Sequence, residues 1–89
     1  MSINNLWESM KKHEGETYKT VTGLEFTYSF INNNSIKVNR ANQILTKNNF
    51  EKALSYMPLN NPGQISKIVR GSSYVYSIIM ELSWINPYK

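Results

Sequence analysis

Apolar positions at the start of the chain recur at helical spacing. Ile3, Leu6, Trp7 and Met10 share one face, which predicts an amphipathic helix over about residues 3–13. Ser2 stands where a hydroxyl caps a first turn. Lys11, Lys12 and His13 fall in the last turn, where cations complement the helix dipole, and Gly15 offers the left-handed stop. The period then changes to two. TYKTV alternates, and in LEFTYSFI the residues Leu24, Phe26, Tyr28 and Phe30 face one way while Glu25, Thr27 and Ser29 face the other. Asn32-Asn33-Asn34 signals a turn, because Asn tolerates positive φ. SIKVN returns with Ile36 and Val38 on one face. This pattern predicts a β-hairpin, or a three-stranded meander if Tyr18–Val21 joins it. Two strands alone are marginal in water, so their apolar face must rest on helices.

Arg40–Leu45 reads as a connector. Thr46 is placed as the N-cap of a second helix over about residues 47–57, with Leu45 and Phe50 spaced as a hydrophobic staple. Phe50, Ala53, Leu54 and Met57 form its apolar stripe, and Pro58 stops it. A third helix is expected from Asn61, with Pro62 at its first position, Gln64 in capping-box register and Gly71 at its end. Ser72 or Ser73 caps a fourth, in which Tyr74, Val75, Ile78, Ile79 and Leu82 make a wide apolar face, and Asn86-Pro87 ends it. The expected fold is one α+β domain over residues 1–89. It has an N-terminal helix, a short antiparallel hairpin or meander and three C-terminal helices, arranged like a winged helix.

Length and composition narrow the function classes. Eighty-nine residues allow one small core. There is no cysteine, which removes disulfides and thiolate metal sites and fits an intracellular, cytoplasmic setting. MSINNLWESM lacks the basic and apolar regions of a secretory leader, and no apolar run approaches the ~18 residues of a membrane span. Ten Lys and Arg against six Glu leave a net charge of +4. That balance favours polyanionic partners through long-range attraction, although Lys is also what an AT-rich genome supplies.

Enzyme chemistry finds no foothold. His13, Glu14 and Glu16 are the one trio that resembles a metal site, but the chain has a single His and no HExxH spacing. A polar helix end explains them better. Phosphate-cradling glycine loops and nucleophile–base pairs are absent too. The expectation is a non-enzyme with no cofactor and no metal.

Surface positions carry the remaining signal. On the third predicted helix, Gln64, Ser66, Lys67 and Arg70 lie away from Ile65, Ile68 and Val69. Gln and Arg read base edges, while Lys and Ser satisfy phosphates. The preceding helix would make this a helix-turn-helix. Lys37 and Arg40, at the end of the hairpin, form a second candidate contact. The plain alternative is a solvated helix face and a strand edge guarded by lysine.

TGLEFTYSFINNNSIKVNR, LTKNNFEKALSYMPL and VRGSSYVYSIIMEL together resemble a small bacterial module carried by mobile-element proteins and some restriction-type nucleases. The resemblance spans about residues 16–83 and implies an accessory role near DNA, with any chemistry supplied elsewhere. The leading expectation is therefore a small nucleic-acid-binding protein, DNA favoured. The alternative is a protein–protein module, such as a phage or mobile-element inhibitor of a host enzyme, meeting an acidic partner. A third is self-association through Trp84, Ile85 and Tyr88.

Overall fold

The computed structural model describes residues 2–40, 42–57 and 59–85, with only the backbone for 83–85. The helix stops read at Pro58 and Asn86-Pro87 fall outside the described residues, as does the adhesive surface read in the side chains of Trp84, Ile85 and Tyr88. The elements run α1 (Ile3–Lys12), β1 (Tyr18–Lys19), β2 (Glu25–Phe26), β3 (Tyr28–Asn32), β4 (Ser35–Val38), β5 (Gln43–Thr46), α2 (Lys47–Leu54), a 3-10 turn (Pro62–Ile65) and α3 (Ser72–Ile85).

Local signals place α1 and α2. Asn5 N–H donates to Ser2 Oγ at 3.1 Å, and Gly15 takes φ +87° just beyond the helix. At α2, Asn49 N–H donates to Thr46 Oγ1 at 3.3 Å while Thr46 N–H donates to Asn49 Oδ1 at 2.9 Å. This reciprocal pair satisfies two amides that an isolated helix start would leave open. Leu45 and Phe50 are both fully buried, as the staple requires.

The sheet departs from the expected single hairpin or meander. β1 pairs only with β2, antiparallel, while β3, β4 and β5 form a separate antiparallel sheet in that order. The expected long strand LEFTYSFI is divided at Thr27. There Thr27 N–H donates to Asn39 Oδ1 at 2.7 Å and Asn39 N–H donates to the Thr27 carbonyl at 3.0 Å. The chain thus changes partner from β1 to β4 across one residue. The supposed connector contains β5, in register with β4 through Ile36↔Leu45 and Lys37↔Ile44. Asn42, at φ +50°, makes the turn into it.

Three C-terminal helices are not formed; two α-helices follow the strands, and the winged-helix arrangement falls with the third. Residues 61–70 make one 3-10 turn and then further turns. Their bonds are mostly of the short i→i−3 kind: Gln64 to Asn61, Ser66 to Gly63 and Ile68 to Ile65. Pro62-Gly63 at the start and Gly71 at the end leave few residues to offset the cost of helix nucleation, and Ser66, Ile65, Ile68 and Val69 are mediocre helix formers. Ile65 and Val69 are nonetheless buried, so the turn meets the demand of the core without helical geometry.

The core lies between the helices and the inner face of the three-stranded sheet. α3 packs against α1, α2, β1 and the 3-10 turn, with Val75, Ile78, Ile79 and Leu82 fully buried. Trp7 is stacked edge-on against Phe30 and Phe50, at centroid distances of 5.4 and 5.6 Å. Its indole N–H donates to the Asn33 carbonyl at 2.7 Å. The Tyr28 hydroxyl donates to the Met10 carbonyl at 2.6 Å, and the Tyr18 hydroxyl lies 3.4 Å from it. The outer edge of β3 is sealed: Gly15 N–H donates to the Tyr28 carbonyl at 3.2 Å, and Phe30 N–H donates to Glu14 Oε2 at 2.6 Å. Such sealing removes a template for edge-to-edge pairing.

Gly71 combines φ +65° with close approach. A Cβ there would lie 2.8 Å from Gln43 Oε1 and 3.0 Å from Leu45 Cδ2. At Gly15 the φ is +87° but nothing lies within 4 Å of that position. Both Ala substitutions incur the left-handed penalty of about 1–2 kcal/mol, and only Gly71→Ala adds a clash. Urea denaturation should therefore give Gly71→Ala the lower midpoint of the two.

Burial pushes the Tyr28 phenol well above its ordinary value, with the hydrogen bond to Tyr18 adding to the rise, and burial raises Tyr18 as well. A raised folded value means that the folded chain keeps protons which the unfolded chain releases above about pH 10. Stability should be level below that pH and fall above it, as thermal melts in rising alkali will register. Tyr28→Phe should flatten the fall from a lower starting point, because the Met10 carbonyl loses its donor.

Candidate nucleic-acid interface

The six residues read as contacts separate into three groups. Lys37 stands on the outer face of β4, in the cross-strand row Ser29–Lys37–Ile44. The inner-face neighbours Ile36, Val38 and Leu45 are buried. Arg40 follows the end of β4, and its Nε–H donates to the Glu25 carbonyl on β2 at 2.8 Å. That bond fixes the stem of the side chain and leaves the remaining guanidinium donors available.

Gln64 and Ser66 serve the backbone. Gln64 Oε1 accepts from Asn60 N–H at 2.5 Å and from Asn61 N–H at 3.3 Å. Ser66 Oγ donates to the Gly63 carbonyl at 3.0 Å. On a helix both would face a ligand; without that helix their polar atoms hold the turn together. Lys67 and Arg70 are exposed, and their side chains make no hydrogen bond or ion pair to any described residue. They belong to the inner side of the sheet, because Gly71 packs on the Gln43 and Leu45 side chains. Lys37 is on the opposite side. The sheet thus stands between Lys37 and the segment that carries Lys67 and Arg70.

Lys37 and Arg40 are brought together. Lys37 lines a cleft of ≈ 450 Å³ with Gly15, Thr27, Tyr28, Ser29, Asn39 and Asn42. Arg40 lines an adjoining depression of ≈ 240 Å³ with Thr17, Glu25, Phe26, Thr27 and Asn39. Thr27 and Asn39 belong to both, so the two cations flank one polar groove. Thr27, Ser29, Asn39 and Asn42 are not among the residues that the sequence singles out. The alternation of LEFTYSFI puts Thr27 and Ser29 on the polar face, but no local pattern places Asn39 across from them.

The other candidates are occupied elsewhere. His13 Nδ1 and Glu16 Oε2 pair at 2.8 Å, and Glu14 serves the β3 edge. Among the described residues no three His, Cys, Asp or Glu side chains group closely enough to hold a metal ion. Trp7, Tyr18, Phe26, Tyr28 and Phe50 are buried, whereas Tyr56 is exposed. Tyr76 is half-buried and donates from its hydroxyl to the Asn60 carbonyl at 3.1 Å. No described helix is long and apolar enough to cross a membrane.

Asn39 braces the groove by exchanging two bonds with Thr27. Asn39→Ala should cost about 1 kcal/mol, the net worth of one such bond, read as a lower urea midpoint with an unchanged m-value.

No family model, curated protein or solved structure matches the chain. The resemblance over residues 16–83 rests on those residues alone, and the surface is the remaining guide to function.

Proposed function

We propose that the protein is a small, non-catalytic, cytoplasmic nucleic-acid-binding accessory protein that takes the phosphate backbone of DNA along the Lys37–Arg40 groove. The observation that carries this reading is the groove's chemistry. Two cations flank the uncharged side chains of Thr27, Ser29, Asn39 and Asn42, with one carboxylate, Glu25, at the Arg40 end, on a chain of net charge +4. Cations supply attraction to phosphate, and hydroxyl and amide groups supply the short hydrogen bonds that fix register. Lys67 and Arg70 form a separate cationic patch that strengthens non-specific attraction. Duplex is favoured over single strand, because most of the described aromatic rings, on which unpaired bases would stack, lie in or against the core.

A second reading, a protein-interaction module for an acidic partner, draws on Ile44. This residue is 56% exposed beside Lys37 on the outer sheet face. An apolar residue next to a cation suits a protein surface as well as a phosphate track.

Fluorescence anisotropy with labelled duplex and single-stranded DNA across a salt series tests the proposal. Duplex should bind more tightly, and log K should fall linearly with log salt. Lys37→Ala with Arg40→Ala should shallow the slope by about 0.9 for each phosphate that the protein no longer neutralises. Absence of binding at low salt refutes the reading. An unchanged slope in the double variant moves the DNA away from the groove.

A further inference from the structure

The β1–β2 hairpin ends in a tip that is internally braced and apolar. Thr20 N–H donates to the Leu24 carbonyl and Gly23 N–H to the Thr20 carbonyl, both at 2.9 Å. Leu24 N–H donates to Thr20 Oγ1 at 3.1 Å. Outside this closed frame Val21 is 63% exposed and Leu24 47%. Tight turns ordinarily carry Gly, Asn, Asp or Ser. Two aliphatic side chains held in water forgo hydrophobic stabilisation that an apolar contact would restore. A cation stands at the base of the hairpin: the Arg40 guanidinium is fixed on the Glu25 carbonyl, one residue from Leu24. From there the groove runs back to Lys37.

We infer that Val21 and Leu24 form a wedge that enters the minor groove of duplex DNA and parts a base step, while Arg40 holds the neighbouring phosphate. This rests on the nucleic-acid reading and adds a bend to it. Apolar wedges flanked by cations unstack a step and kink the duplex by about 20–90°. The Glu25 side chain opposes phosphate, and Lys19 stands across the hairpin from it in strand register. An anionic lipid surface would also accept an apolar tip beside a cation. DNA is favoured because Arg40, bound at the Glu25 carbonyl beside Leu24, and Lys37 line adjoining depressions that share Thr27 and Asn39, so that the cations follow one groove away from the tip as a phosphate track does.

The test is energy transfer across a duplex of about 20–30 base pairs labelled at both ends, with anisotropy followed on the same duplex. Saturating protein should raise the transfer. Val21→Ser with Leu24→Ser should abolish the rise while anisotropy still reports binding, and an unchanged thermal melt will show that the variant is folded. Saturated binding without a rise, or an equal rise from the variant, overturns the wedge and leaves the groove reading intact. No binding at all overturns both. Co-sedimentation with phosphatidylcholine–phosphatidylserine vesicles that the variant loses, alongside an unbent duplex, assigns the tip to a membrane and overturns the wedge.

Discussion

Trp7 ties together three parts of the chain, α1, the β3–β4 hairpin and α2. Its ring lies edge-on between Phe30 of β3 and Phe50 of α2, and its indole N–H reaches the carbonyl of Asn33 in the β3–β4 turn. A domain of this size buries only about 60–65% of its unfolded surface, so one large side chain carries an unusual share of the core. The indole also has a polar atom that must find a partner once buried. Meeting both demands sets how α1 lies against the hairpin, and so where residues 13–16 leave the helix.

That path creates the groove. After α1 the chain turns at Gly15 and runs along the outer edge of β3, where Gly15 and Glu14 satisfy backbone groups of Tyr28 and Phe30. Across from this strap, the Thr27–Asn39 brace marks the point at which the chain changes sheets. The space between strap and brace is lined by hydroxyls and amides because neither border belongs to the apolar core. Lys37 and Arg40 reach it from the end of β4. The surface proposed to meet phosphate thus follows from how the fold disposes of a sheet edge.

The cations outside the groove show how a change of local geometry changes chemistry. On an α-helix, Gln64, Ser66, Lys67 and Arg70 would present one polar stripe. In the turns that form instead, Gln64 and Ser66 satisfy backbone groups, and only Lys67 and Arg70 remain free for charge interactions. Sequence distance among these residues says nothing about their separation from Lys37, which the sheet itself imposes.

What the sequence determined by itself was local. The caps at Ser2 and Thr46, the left-handed stop at Gly15, the stripes of α1, α2 and α3 and the alternation around Phe26, Tyr28, Ile36 and Val38 are all written within a few residues of where they act. Caps and periodicity need no distant partner, so they were legible. The division of LEFTYSFI at Thr27 and the strand at Gln43–Thr46 were decided by tertiary structure. Each depends on a contact made far along the chain: Thr27 with Asn39 and Leu45 with Ile36. The candidate site shares that origin. Its two cations, close neighbours in the chain, were readable as one contact, but the Thr27 and Ser29 side chains that line the groove with Asn39 were brought to them only when the chain folded back on itself.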